Sequence, residues 1–198
     1  MRDDDDASLV TRAVDGDRRA LEVLLDRHAD RIHAVCRRIV AHPEDALDAT
    51  QEAMMAIARG ITRFDARAAF STWCYRIATN AALDELRRKR RRPLPASPDA
   101  PEPAVTASGP DDVVAARLDV DAALQDVPEE FRVAVVLRDL CDLDYAEIAE
   151  VLDVPAGTVK SRIARGRAIL VERLGPADPG PAGSWNRVPT PERQNDDG

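Results

Sequence analysis

Two stretches of this chain combine residue types in the way nucleic-acid binding requires. Four of its seven Phe, Trp and Tyr residues (Phe64, Phe70, Trp73 and Tyr75) fall close together, and a run of basic residues follows from Arg87 to Arg92. Aromatic faces stack exposed bases while nearby cations hold phosphates, the arrangement that single-stranded nucleic acid needs. Trp73, Ile77 and Ala81 recur at four-residue steps and suit a core stripe equally well, which would leave Arg76, Asn80, Asp84, Arg87 and Arg91 as the opposite, polar face. Arg87 and Arg88 lead the basic run toward phosphates. The second stretch is Thr158 to Arg167. Arg165 has the rigid fork that pairs with guanine, Ser161 can donate or accept, Ala164 offers a methyl contact, and Lys160, Arg162 and Arg167 can reach phosphates.

Other chemistries fit poorly. Gly157-Thr158-Val159-Lys160-Ser161 resembles the end of a phosphate-binding loop, but the first glycine of that pattern and the preceding strand are both missing. His28, His33, Cys36 and His42 match no closed set of zinc ligands, so no metal and no cofactor is expected. No Ser/His/Asp or paired-carboxylate arrangement stands out, and no enzyme activity is expected.

The elements that must position these residues are separated by punctuation. Of 14 prolines, six lie between Pro93 and Pro110 and five between Pro176 and Pro191. Neither stretch has an apolar period that could offset the entropy of ordering it. The expected division is an acidic N-terminal tail at 1–7, a domain at 8–92, a flexible acidic Pro-rich linker at 93–111, a second domain at 112–174 and a disordered tail at 175–198. Domains of this size hold marginal cores. No run of about 18 apolar residues suggests a membrane span. The start Met-Arg-Asp-Asp-Asp-Asp is unlike a signal peptide, and three scattered cysteines (Cys36, Cys74, Cys141) argue against a disulfide framework. A cytoplasmic protein without membrane contact is expected. The net charge of −8 opposes autonomous DNA binding and conceals the two basic patches.

Both domains read as helix. Ser8 is a candidate cap for a first helix, and Asp15-Gly16-Asp17 breaks the chain and restarts it. Leu21, Leu24, Leu25, His28, Ile32, Val35 and Ile39 form one stripe. Further helices are expected from Pro43 to Gly60 and from Ser71 to Arg91, with a loop from Ile61 to Phe70 between them. Asp111-Asp112 opens a helix to about Gln125, and the next, from Pro128, turns Phe131, Val135, Val136 and Leu140 inward. Asp144-Tyr145-Ala146-Glu147 is a capping-box pattern. It opens a short helix, Asp153-Val154-Pro155 turns the chain, and a longer cationic helix follows, which together make a helix-turn-helix.

Three segments now carry a family pattern. Asp48, Gln51 and Glu52 match a D-x-x-Q-E-x-F stretch, with Met54 at its Phe position; Phe70 to Asn80 matches F-x-T-W-x-x-x-I-A-x-N; and Tyr145 to Arg167 matches a promoter-reading helix-turn-helix. Over roughly residues 8 to 174 the chain resembles the extracytoplasmic-function sigma factors of bacterial RNA polymerase. The resemblance implies an all-α fold of two small helical domains, a sigma-2 bundle and a sigma-4 helix-turn-helix, joined by the linker. It further implies that Asp48, Gln51, Glu52 and Met54 dock on the clamp helices of the polymerase core, with the flap as a second contact. The segment with Phe64, Phe70, Trp73, Tyr75, Arg76, Asn80, Arg87 and Arg88 would open the minus-ten element and hold a flipped base. The segment with Thr158, Lys160, Ser161, Arg162, Ala164, Arg165 and Arg167 would read the minus-thirty-five element. By the same resemblance Asp99 and Glu102 of the linker thread the RNA channel, and an anti-sigma factor is a further partner. The rival reading, a helix-turn-helix regulator acting alone, leaves the aromatic and basic helix unexplained and lacks an evident dimer face.

Overall fold

The computed structural model describes residues 5–91 and 120–174; the linker, the C-terminal tail, the first four residues and the start of the helix expected from Asp111 lie outside them. Among the described residues every regular element is helical. Helix α1 spans Asp6–Val14, α2 Arg18–Ile39, α3 Pro43–Gly60 and α4 Phe70–Arg91, with a 3-10 turn at Ile61–Arg63 between the last two. The second half contributes α5, described over 120–126, α6 (Glu129–Asp139), α7 (Tyr145–Leu152) and α8 (Ala156–Leu174). No described helix is long and apolar enough to cross a membrane.

Asp5 caps α1, its Oδ1 accepting the Ser8 amide at 2.9 Å. Ser8 therefore provides the capped amide instead of the cap, and Asp6 and Ala7 belong to the helix, not to an acidic tail. A carboxylate caps as well as a hydroxyl and also meets the positive helix end, so the upstream aspartate wins. Gly16 turns the chain at φ +98°, and Asp17 then caps α2 through Arg19 and Ala20 while pairing with Arg12 at 2.7 Å. Pro43 sits in the first turn of α3, where its missing amide costs nothing.

The first core is built where α2, α3 and α4 meet, with α1 laid on α2. On α3 the buried positions are Ala46, Ala49, Ala53 and Ile57, and on α4 they include Cys74, Ala78 and Ala82. Small side chains at helix crossings bring the backbones close. The larger residues of α4, Trp73 and Ile77, pack from the edges of this seam.

In the second half, α6 lies on α8, which is where Gly166 falls. The capping box of α7 is complete: Asp144 Oδ1 accepts the amides of Ala146 and Glu147, and Glu147 Oε2 accepts the amide of Asp144. Asp153 ends α7 in the left-handed region at φ 52°, a conformation that aspartate tolerates. Val133, Ala134 and Leu137 of α6 are buried along with Val135 and Val136, so α6 is enclosed nearly all round, although only one inward face was expected. The second face is covered because α6 also packs on α2 of the first half.

A Cβ on Gly166 would lie 2.6 Å from Val135 Cγ2 and 3.2 Å from the Phe131 carbonyl, whereas one on Gly157 would meet nothing within 4 Å. Gly166→Ala should therefore overpack the α6–α8 contact and cost about 1–3 kcal/mol. Gly157→Ala should be neutral or stabilise by up to about 1 kcal/mol, since alanine is the better helix former. Urea midpoints of the two variants check the pair of expectations.

Candidate nucleic-acid interface

Phe64, Phe70 and Trp73 converge where α3 passes into α4. Ring centroids are 5.2 Å apart for Phe64 and Trp73 and 5.8 Å for both Phe64–Phe70 and Phe70–Trp73, in tilted or edge-on contact. Beneath them His28 of α2 meets Phe70 edge-on at 5.2 Å and places Nε2 2.9 Å from Asp6 Oδ2, so α1 helps to hold the cluster. Burial acts to raise the Asp6 carboxyl, but the hydrogen bonds with Arg27 and His28 outweigh it and leave it below the ordinary aspartate value. Gly60 makes room for the indole, since a Cβ there would lie 3.2 Å from Trp73 Cζ2.

The four aromatics do not share one surface. Phe64 and Trp73 are half-buried and offer part of their faces, whereas Phe70 is buried beneath them. Tyr75 is 4% exposed and leaves the cluster altogether. At 100° per residue it points to the other side of α4 from Trp73. The same count puts Trp73, Arg76, Asn80, Asp84, Arg87 and Arg91 on a single arc, not on opposed faces. Trp73, Ile77 and Ala81 are half-buried and pack against the core, whose centre on this helix the smaller Cys74, Ala78 and Ala82 make. Arg76, Asn80, Arg87 and Arg88 are exposed and run from the aromatic cluster to the helix end. Within the chain Arg87 pairs with Asp84 at 2.9 Å, Arg88 with the buried Glu85 at 2.6 Å and Lys89 with Asp45 at 2.6 Å.

On α8 the inward residues are Val159, Ile163 and Gly166, with Leu170 half-buried. Gly157, Ser161, Ala164 and Ala168 are exposed on the opposite face, flanked by Lys160 and Arg167 on one side and Arg165 on the other. A ridge of small residues with cations at its edges lets a helix sit deep in a major groove while reaching both phosphate walls. Thr158 is half-buried and accepts the Ser161 hydroxyl at its carbonyl, 2.9 Å. Arg165 lies over the Phe131 ring at 5.7 Å, half-buried Arg162 pairs with Glu130 at 3.3 Å, and Arg167 is held by Asp139. The hydrogen bond to Asp139 raises Arg167 above its ordinary value.

On α3 the exposed residues are Leu47, Asp48, Gln51, Glu52 and Met55, and Glu52 is joined to Arg59 at 3.0 Å. Met54, expected on this face, is half-buried and packs on the core, while Met55 is 47% exposed and Leu47 52%. Leu47, Gln51 and Met55 are four apart and make a short apolar-polar-apolar ridge, a spacing present in the sequence, whereas the D-x-x-Q-E-x-F pattern ends one position earlier, at Met54.

Among the described residues no group of three or more His, Cys, Asp or Glu is placed to hold a metal ion. His33 Nδ1 lies 3.1 Å from Thr50 Oγ1, and Cys36 Sγ is directed to the Ala78 carbonyl at 3.7 Å.

Two family models match the chain, sigma-70 region 2 over residues 24–92 and sigma-70 region 4 over 117–170. The chain is 40% identical to the ECF RNA polymerase sigma factor SigM of Mycobacterium tuberculosis over 170 residues, which is 86% of this chain and 85% of that one. It is 35% identical to the ECF sigma-E factor of Escherichia coli, covering 86% and 95%. Among solved structures, CnrH in complex with the cytosolic domain of CnrY aligns with a TM-score of 0.62 at 26% identity, over 86% of this chain and 97% of CnrH. The fold is also that of the sigma factor RpoE of Bartonella quintana in complex with the anti-sigma factor NepR, with a TM-score of 0.61 at 22% identity over 77% and 95%.

Burial pushes the thiols up, to about 11 for Cys36 and about 12 for Cys74 and Cys141. At pH 7.5 none carries useful thiolate, and all three side chains are shielded. Ellman's reagent should therefore titrate close to no thiol in the folded protein and all of them in denaturant. A thiol that reacts at once in the native protein would contradict this packing.

Proposed function

Because the chain belongs to the extracytoplasmic-function sigma factors, which direct RNA polymerase core to promoters, we propose that its three exposed faces divide that task. The ridge of Leu47, Asp48, Gln51, Glu52 and Met55 docks on the clamp helices of the core, with Met54 supporting it from inside. The arc of Trp73, Arg76, Asn80, Arg87 and Arg88, headed by Phe64 over buried Phe70, receives the opened minus-ten element. The outward face of α8 reads the minus-thirty-five element, with Arg165, Ser161 and Ala164 toward base edges and Thr158, Lys160, Arg162 and Arg167 toward the backbone. Tyr75 contributes only if the elements covering it move away. The chain works in the cytoplasm and contributes no catalytic chemistry: binding to polymerase and to two DNA elements offsets the few kcal/mol needed to unstack a base. A flap contact for the second domain and an anti-sigma factor complete the proposed partners. The units at 8–92 and 112–174 act as the two domains.

The observation that carries this reading is the single exposed arc of α4, on which a stacking surface is followed by amide and guanidinium donors along one line. A duplex-reading regulator acting alone would have no use for it.

The test compares promoter binding and transcription with and without polymerase core. Gln51→Ala/Glu52→Ala should keep its helical signal and lose core affinity by at least about tenfold, since each lost hydrogen bond to a charged partner is worth about 1.5–3 kcal/mol. Transcription should fall with it. Arg165→Ala should instead keep core binding, cost about 1–3 kcal/mol in promoter affinity and relax the preference at one upstream base pair. Tight, sequence-specific binding by the chain alone would favour the independent regulator.

A further inference from the structure

The match to sigma-70 region 2 begins at residue 24, and α1 lies wholly ahead of it. Yet α1 is a built part of the first half. Leu9, Val10 and Ala13 are buried on its inner side, and it packs both on α2 and on the 3-10 turn Ile61–Arg63. Each of its ends is pinned. At the C-terminal end Arg12 pairs with Asp17 at 2.7 Å across the turn at Gly16, so that α1 folds back along α2. At the N-terminal end the two carboxylate oxygens of Asp6 divide between neighbouring residues of α2: Oδ1 accepts from Arg27 Nη1 and Oδ2 lies against His28 Nε2, each at 2.9 Å. Asp5 already caps α1, so Asp6 is not needed as the cap and is committed to α2 instead.

These contacts lead to both sides of the aromatic cluster. The His28 side chain is 13% exposed, and its ring meets Phe70 edge-on at 5.2 Å on the side away from Trp73 and Phe64. The 3-10 turn on which α1 packs runs directly into Phe64, whose amide donates to the Ile61 carbonyl at 3.0 Å. Helix α1 therefore backs the cluster twice, once through the turn that carries Phe64 and once through the imidazole beneath Phe70. The charge of Asp6 is felt there too: after burial, it is the second influence raising the thiol of Cys74, the residue next to Trp73, to about 12. A stacking platform gains from a base only the contact that its rings are already placed to make, because rings that must first be ordered give part of that gain back as entropy.

We propose that α1 is a brace for the base-stacking surface and that Asp6 and His28 are positioning residues for promoter opening. Asp6 fixes the imidazole, the imidazole fixes Phe70, and Phe70 together with the 3-10 turn holds Phe64 and Trp73 in the arrangement that an unstacked base meets. The inference rests on the reading of Phe64 and Trp73 as that surface, whereas the brace is a property of the free chain. Neither positioning residue touches DNA. Losing them should weaken opening while leaving the outward ridge of α3 and the outward face of α8 intact, since those are seated on other buried residues.

Two measurements on the full chain test this. Without DNA, Trp185→Phe leaves Trp73 as the one tryptophan of the chain, so that its emission and its quenching by acrylamide report the cluster. In that background Asp6→Ala and His28→Phe, the second of which keeps a ring against Phe70 but no bond to α1, should each raise quenching at least about twofold. Asp6→Asn, which can still bond both Arg27 and His28, should stay near the wild type. With polymerase core, and on a promoter selected from a random library by the wild-type protein, permanganate reactivity of the minus-ten thymines gives the rate of opening. Asp6→Ala and His28→Phe should each slow it at least about fivefold, and the double variant should be no slower than Asp6→Ala alone, because the two act through one bond. Asp6→Asn should recover most of the rate, and core affinity should stay within about twofold throughout. Ile39→Val, a truncation in the same core about 16 Å further along α2, controls for stability alone and should change neither readout. Quenching unchanged in both variants, or raised as much by Ile39→Val, would overturn the brace. Wild-type opening rates in Asp6→Ala and His28→Phe, additive losses in the double variant, or no recovery in Asp6→Asn would overturn the positioning role. Trp73→Ala separates this inference from the reading beneath it: normal opening by that variant would reject the stacking surface itself, and the quenching comparison would still decide the brace.

Discussion

The enclosure of α6 is the constraint on which the rest of this molecule depends. Each half is too small to build a generous core, and a helix that is apolar on more than one side must find two neighbours or expose what it cannot cover. Gly166 lets α8 approach one side of α6, and α2 covers another. Helix α8 is thereby closely seated, because the glycine opposite Val135 and Phe131 leaves no room for a Cβ in the contact. The same strut ties the second half to the first through its remaining surface. The seating of α8 and the junction between the halves are two consequences of one buried element.

Electrostatics temper the cationic patches of this acidic chain. Its basic side chains are matched by carboxylates of its own: Arg87 with Asp84, Arg88 with Glu85, Lys89 with Asp45, Arg162 with Glu130 and Arg167 with Asp139. Mostly exposed pairs of this kind are worth about 0–1 kcal/mol each. That is enough to lower the gain from a random phosphate, since a cation already neutralised releases fewer counterions, and little enough to be exchanged where shape and base contacts add to the balance. Glu85 differs, being buried, although its partner Arg88 remains exposed.

What the sequence made legible was local. The α7 capping box, the left-handed Asp153, Pro43 in the first turn of α3 and the apolar inward face of α8 each follow from a few neighbouring residues, and the structure has them all. The misplaced features depend on contacts between distant segments. Tyr75 lies close to Trp73 in an aromatic run, and the helical phase of α4 turns it to a buried side. Val133 and Leu137 read as the outer side of α6 because nothing near them in sequence announces α2. In α4 the four-residue stripe of Trp73, Ile77 and Ala81 suits core and surface alike, and the structure divides it, with alanine and cysteine making the close helix crossings while Trp73 and Ile77 seal the rim. Met54 and Met55 are indistinguishable by type, and their division between core and surface is settled by the register of α3 alone.

The junction between the halves is of a different kind from the seams within them. It consists of exposed or half-exposed ion pairs, the hydrogen bonds Arg31 to the Leu140 carbonyl and Thr72 to Glu147, and the contact of α2 with α6. Pairs of that exposure are worth about 0–1 kcal/mol each and such hydrogen bonds about 0.5–1.5 kcal/mol. The seating of each exposed face therefore depends on the buried seam beneath it: Ala46, Ala49, Ala53 and Ile57 carry the outward ridge of α3, and Val159, Ile163 and Gly166 carry the outward face of α8. A change in one of those seams shifts the surface above it, whereas a change in the polar junction leaves both surfaces seated.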